Sequence, residues 1–157
     1  MHLEYFQLID RIAALDIGER TITVEAQVPK ENTIFEGHFP GYPLMPGVLL
    51  IEAMAQTSGW LLIAHLKFER MPFLAAVKEA KMRDFVNPGD LLTIDAKLAH
   101  DGSGYAMTEA SIKVGGKLKC NATLTFRHTP FPNADMRGHM EAMATKIGFP
   151  REAMTHG

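Results

Sequence analysis

The clearest hydrophobic register in the chain lies at residues 21–28, T-I-T-V-E-A-Q-V. Ile22, Val24, Ala26 and Val28 alternate with Thr21, Thr23, Glu25 and Gln27. A period of two places the apolar set on one face of a strand, so one side of this segment is predicted to be buried. Gly18-Glu19 reads as a turn before it, and residues 6–17, apolar with weaker periodicity, are expected to form the partner strand of a hairpin. The same alternation returns later. Leu92, Ile94, Ala96 and Leu98 mark a strand over 91–100, and 105–114 forms the next. Leu118, Cys120, Ala122, Leu124 and Phe126 mark another over 117–128. The breaks between them are N-P-G-D at 87–90, D-G-S-G at 101–104 and G-G at 115–116, all turn chemistry suited to antiparallel strands. Residues 72–86 mix apolar and charged positions and supply further wrapping material.

Between these sets of strands the pattern changes. Residues 36–47 hold three glycines and three prolines, a density at which no regular element is expected. From Gly47 to about Leu66 apolar residues cover nearly every helical face, with Pro46 suited to a helix start. A helix that is apolar all round is a buried one. One such helix and a run of antiparallel strands predict an α+β domain, a curled sheet around a central helix, which is the hot-dog arrangement. Residues 1–128 are assigned to that domain. T-P-F-P-N at 129–133 breaks the last strand, and 129–157 is expected to be an extension with a peripheral helix over 136–147, Met140, Met143, Ala144 and Ile147 on one side.

Composition narrows the class. The chain has 157 residues, 46% hydrophobic and 22% charged, as expected for one globular domain. A net charge of −2 argues against general nucleic-acid binding. The single cysteine excludes an intrachain disulfide, and Cys120 falls on the apolar side of its strand. Glu4 and Asp10 interrupt the start where a secretory signal needs an apolar run, so a cytoplasmic location is expected. Residues 48–66 are long enough to span a membrane. Glu52 near the middle would cost about 2.5–3.5 kcal/mol there, so burial within protein is the expectation.

Glu52 is the residue hardest to place. A carboxylate on an apolar helix is expected to stay protonated, which is what a general acid near neutral pH requires. The alternative is a buried Glu satisfied by a neighbouring subunit or a strand lysine, and Glu52 alone does not choose between them. Gln56 follows one turn later on the same face and either orients the carboxyl or closes a polar seam. His38, in the Gly/Pro loop, is a candidate base or a surface histidine that braces the turn. Gly47 opens the helix, where free N–H groups could stabilise a carbonyl oxygen gaining charge, or where glycine serves backbone shape alone. Base, acid and oxyanion site together suit removal of a proton beside a carbonyl with loss of a β-hydroxyl. The histidines show no metal-ligand spacing, and no phosphate-binding loop, dinucleotide fingerprint or nucleophile elbow is present.

G-H-F-P-G-Y-P-L-M-P-G-V-L-L-I-E-A-M-A-Q, residues 37–56, resembles the signature of FabZ-type 3-hydroxyacyl-[acyl-carrier-protein] dehydratases. The resemblance continues through E-A-K-M-R-D-F-V-N-P-G-D at 79–90 and G-K-L-K-C-N-A-T at 116–123, covering roughly residues 8 to 127. It implies dehydration of (3R)-3-hydroxyacyl chains on acyl carrier protein without metal or organic cofactor. It further implies a homodimer with shared sites, His38 of one protomer facing Glu52 of the other, and commonly a trimer of dimers. His38 would take the α-proton, Glu52 would assist departure of the hydroxyl, and the Gly47 amide would hold the thioester carbonyl. Lys78, Lys81 and Arg83 are the expected contacts for an acidic carrier protein, although Arg-Asp-Phe at 83–85 replaces the family's basic residue followed by Pro. The family's H-R-x-P-F-like block before the first strand is expected to be missing. A short start and long tail resemble a branch serving very-long-chain acyl groups of lipid A. A thioesterase or enoyl-thioester hydratase of the same fold, or a non-catalytic acyl-binding subunit, are the alternatives.

Overall fold

The computed structural model describes residues 1–152. After a 3-10 turn at Leu3–Tyr5 come β1 (Arg11–Asp16), β2 (Thr21–Gln27), the short α1 (Thr33–Gly37) and the long α2 (Gly47–His65). Then follow β3 (Arg70–Met82), β4 (Leu91–Gly102), β5 (Tyr105–Val114), β6 (Lys117–Pro130) and α3 (Ala134–Ile147). All six strands join one antiparallel sheet in the order β1-β2-β4-β5-β6-β3. This is the α+β hot-dog fold: the sheet curls and α2 lies in its concave face.

The register explains the wrap. Ile22 pairs with Ala96, Val24 with Ile94 and Ala26 with Leu92, so the apolar parity of β2 meets that of β4 on the inner face. Ile94 with Ile112 and Thr108 with Leu124 carry the same face through β5 to β6. Those side chains and Leu50, Ala53, Met54, Leu61 and Leu62 of α2 are all nearly or fully buried. The polar interruptions of α2 are satisfied locally. Thr57 donates to the Ala53 carbonyl at 2.9 Å, and Ser58 accepts from Thr108 at 2.8 Å. By length and composition Gly47–His65 could cross a membrane, but 61% of its apolar window is buried inside the protein.

Two elements differ from the sequence expectation. Breakers suggested an irregular stretch from residue 36, yet α1 runs to Gly37 because the Asn32 side chain caps its start, Oδ1 accepting from the Ile34 N–H at 3.1 Å. The tail helix lies at the periphery, yet it is anchored there more closely than its sequence pattern specifies. Ala144 and Ile147 are buried, and Phe149, just after it, is 7% exposed. Phe149 packs on Trp60 and Phe68, each with ring centroids 5.7 Å away, and Phe68 stacks on Phe131 at 6.0 Å. The guanidinium groups of Arg137 and Arg151 lie over these rings. An aromatic cluster therefore fastens the extension to the C-terminal half of α2. The last strand reaches Pro130, two residues past the expected domain boundary.

The β3 edge is unlike the inner strands. Phe73, Leu74, Val77 and Met82 stay 39–45% exposed, and the side of β3 away from β6 has no strand partner among the described residues.

Candidate active site

The loop after α1 is a closed unit. The Leu44 N–H donates to the His38 carbonyl at 2.9 Å, and Phe39 and Tyr42 exchange backbone hydrogen bonds at 3.1 and 2.9 Å. Gly41 takes φ +74°, which a side chain would disfavour. The His38–Phe39 peptide is cis. His38 is half-buried, its ring stacked on Phe39 with centroids 4.0 Å apart. Its Nδ1 lies 3.0 Å from the Leu44 carbonyl oxygen. A carbonyl only accepts, so Nδ1 carries the hydrogen and neutral His38 presents a free lone pair at Nε2. That is the form a general base needs.

Gly47 begins α2 behind Pro46, and no side chain caps this end. Leu49 and Leu50 donate to the Pro46 carbonyl at 3.0 and 3.2 Å, which leaves the Gly47 and Val48 N–H groups without intrahelical acceptors. A Cβ on Gly47 would meet only the Met82 side chain at 3.5 Å, an ordinary contact, and its φ lies in the usual range. Nothing within one chain obliges this residue to be glycine.

Glu52 is half-buried on the next turn. Burial raises its pKa above the usual carboxylate value, and a hydrogen bond from Gln56 opposes the rise only in part. Gln56 does more than its spacing implied. Its Oε1 accepts from the Leu8 N–H at 3.0 Å, which fixes the amide orientation. Its Nε2 then donates to the Phe6 carbonyl at 2.9 Å and to Glu52 Oε1 at 3.2 Å. The N-terminal segment thus holds Gln56, and Gln56 holds the carboxyl.

A cavity of about 590 Å³ opens at Glu52. Glu52, Gln56, Gly59, Trp60 and Ile63 form its floor along α2, with Pro72, Leu74 and Phe126 from the sheet. Tyr5, Phe6 and Gln7 cover one part, and His139, Met140, Met143 and Lys146 of α3 another. The arrangement can hold an apolar chain beside a carboxyl whose pKa burial raises. Of the residues singled out in the sequence, the cavity brings together Glu52 and Gln56; His38 and Gly47 do not line it. Phe6, Leu8 and the α3 side chains were missed, since their part is played across tertiary contacts.

Lys78 and Lys81 are exposed on β3. Lys81 borders an open depression that it shares with Glu79, Asp95, Lys97 and Glu109, a lining of mixed charge. Arg83 donates to Asn121 Oδ1 at 2.7 Å. Lys117 and Lys119 both reach Asp84, which holds that carboxyl far below its ordinary value. Among the described residues, no group of three His, Cys, Asp or Glu side chains could hold a metal ion.

Residues 1–123 match the family model described as a FabA-like domain. The chain belongs to the FabA-like family. It is 40% identical over 119 residues to the 3-hydroxyacyl-[acyl-carrier-protein] dehydratase FabZ of Lactiplantibacillus plantarum, covering 75% of this chain and 80% of that one. It is 36% identical over 126 residues to the FabZ of Symbiobacterium thermophilum, covering 80% and 88%. These relatives make it a FabZ-type member of the family. Among solved structures, a conserved protein from Pseudomonas aeruginosa superposes with a TM-score of 0.63 at 21% identity, covering 80% of this chain and 91% of that one. A thioesterase from Haemophilus influenzae gives 0.60 at 15% identity, covering 78% and 80%. At such identities the likeness establishes the shared fold. The α3 helix lies beyond the matched residues.

Proposed function

We propose that the protein dehydrates a (3R)-3-hydroxyacyl chain on acyl carrier protein to the trans-2-enoyl thioester, as the FabZ relatives are named for doing. The observation that carries this reading is Glu52, a carboxyl of raised pKa at the head of an apolar cavity, on a chain that also fixes the tautomer of His38. His38 Nε2 removes a proton from C2. The resulting negative charge moves onto the thioester oxygen, held by the Gly47 N–H. The C2–C3 double bond then forms as the C3–O bond breaks, and the Glu52 proton leaves with the hydroxyl as water. His38 ends protonated and Glu52 ionised, and proton exchange with solvent restores both before the next turnover, with no metal or organic cofactor in the scheme.

His38 does not line the cavity of its own chain, so the reading includes a homodimer in which each His38 serves the partner's Glu52. The exposed apolar side chains of the unpaired β3 edge support a second copy pairing there, since such an edge is a ready template for another strand. A trimer of such dimers, a cytoplasmic setting in fatty acid synthesis, and carrier-protein docking over Lys78, Lys81 and Arg83 belong to the same proposal.

The test uses purified protein with 3-hydroxyacyl thioesters, following enoyl formation and free-thiol release in parallel. Enoyl product without thiol release is expected; thiol release alone would make the protein a thioesterase, and tight binding without turnover an accessory subunit. His38→Ala and Glu52→Gln are each expected to be inactive. Unfolded and refolded together in equal amounts, they should recover about a quarter of wild-type activity, because half of randomly assorted two-fold dimers carry one intact site. No recovery would place His38 and Glu52 of one chain in the same site.

A further inference from the structure

Resting on the dehydratase reading above, the geometry points to Met140 and Met143 of α3 as the residues that set how long an acyl chain this enzyme accepts. The cavity follows one face of α2 from Glu52 to Ile63, which is about 16 Å of helix axis at 1.5 Å per residue. An extended chain advances about 1.2 Å per bond, so the groove has room for roughly a dozen methylenes beyond the reacting carbons. Its two ends are covered by different parts of the chain. At the carboxyl end lie Phe6 and Gln7, in the segment bonded to Gln56.

The far end belongs to α3. Arg137 on one side of the lining residues sits over Phe68 and Phe131, and Phe149 on the other packs on Trp60 and Phe68. Both anchors lie at or beyond the C-terminal half of α2, so the helix between them is seated away from Glu52. There it turns Met140 and Met143 into the cavity while Ala144 and Ile147 enter the core. Methionine is long, unbranched and deformable, suited to closing over a chain end of variable length. The family match ends at residue 123, so this roof lies beyond the matched residues. The occupant is the apolar part of a fatty acyl thioester, since Gly59, Trp60, Ile63 and the two methionines give the far lining an apolar run, His139 and Lys146 add the polar groups of α3, and the carboxyl stands only at the near end.

The experiment measures kcat/KM for dehydration of 3-hydroxyacyl pantetheine thioesters of graded length by the full chain, its Met143→Trp and Met140→Trp forms, and Met143→Ala. Burying a methylene changes binding about fourfold, so a tryptophan that excludes three or four of them should lower the long-to-short ratio of kcat/KM by about 100-fold. Met143→Ala should move the optimum to longer chains, a result that a folding defect cannot imitate. A ratio unchanged in both tryptophan variants and an unmoved optimum in the alanine variant would overturn the proposal. Calorimetric binding of saturated acyl pantetheine thioesters separates its failure from that of the dehydratase reading. If the wild type turns over nothing, affinity that climbs with chain length and is truncated by Met143→Trp still supports the length-setting role, and affinity flat with length refutes it.

Discussion

Gln56→Leu tests whether the N-terminal segment governs the acid of the site. The substitution removes three hydrogen bonds of unequal weight. Leu8 is fully buried, so its N–H, now 3.0 Å from the Gln56 oxygen, would be left without an acceptor. An orphaned buried donor costs about 1–3 kcal/mol. Phe6 is 55% exposed, and its carbonyl would regain water at little cost. The third bond is the donation to Glu52, whose loss removes what opposes the effect of burial, so the Glu52 pKa rises further. A net loss of about 2 kcal/mol is expected, a shift in urea midpoint of roughly 1 M for a slope near 2 kcal/mol/M. In the pH–rate profile, the limb where activity falls with loss of the Glu52 proton should move to higher pH. Gln56→Glu separates the two effects, because its carboxylate still accepts from Leu8 but places a second acid against Glu52. An unchanged urea midpoint together with an unmoved alkaline limb in Gln56→Leu would refute the reasoning.

The raised pKa of Glu52 has a sign in stability. Below the unfolded-state value near 4.5 both states are protonated, and as pH rises through the window up to the folded-state value the unfolded chain ionises first, so stability falls; urea titrations of Glu52→Gln across pH 4–8 should lack this decline. Asp101 behaves oppositely: burial would raise its pKa, but hydrogen bonds from His128 at 3.1 Å and His65 at 3.0 Å outweigh it and lower it, so its contribution is present above the unfolded-state pKa and lost as pH falls through the folded one. Asp101→Ala strips the partner from both histidines and should cost about 3 kcal/mol, seen as a Tm lower by roughly 6–12 °C at neutral pH. Cys120 is fully buried with its thiol pushed up to about 11 by burial, so a thiol reagent at neutral pH should react only at the rate of unfolding, and rapid labelling of native protein would contradict its place in the core.

Much of the fold was legible because its inner strands obey period two. β2, β4, β5 and β6 alternate cleanly, since each buries one face on α2 and turns the other outward. β3 resisted because it is an edge: with Phe73, Leu74 and Val77 consecutive or nearly so and all partly exposed, no parity could reveal its register. α2 was legible for the opposite reason, its lack of any polar face. The pairing of Glu52 with Gln56 followed from helical spacing. The bonds of Gln56 to Phe6 and Leu8, some fifty residues away, left no trace in either local pattern. Met140 and Met143 were read correctly as one side of a helix, but periodicity says that a face is buried and never what it is buried against.

These limits bear on how the site came to work as an acid. The Glu52 pKa is raised only because water is kept from the carboxyl, and α2 by itself cannot do this, because Glu52 lines a cavity. The cover comes from the periphery: residues 5–7 over the carboxyl end of the cavity and α3 over the rest. Both are held by specific tethers, the Gln56 amide in one case and the Phe68, Phe131 and Phe149 cluster in the other. It follows that substitutions in the core, such as at Ile94 or Leu124, should weaken the fold with little change in the pH dependence of what remains folded. Loosening the aromatic tether of α3 should instead admit water to the cavity and bring the Glu52 pKa back toward its ordinary value, at a smaller cost in global stability. The core builds the frame, and the two ends of the chain set the chemistry inside it.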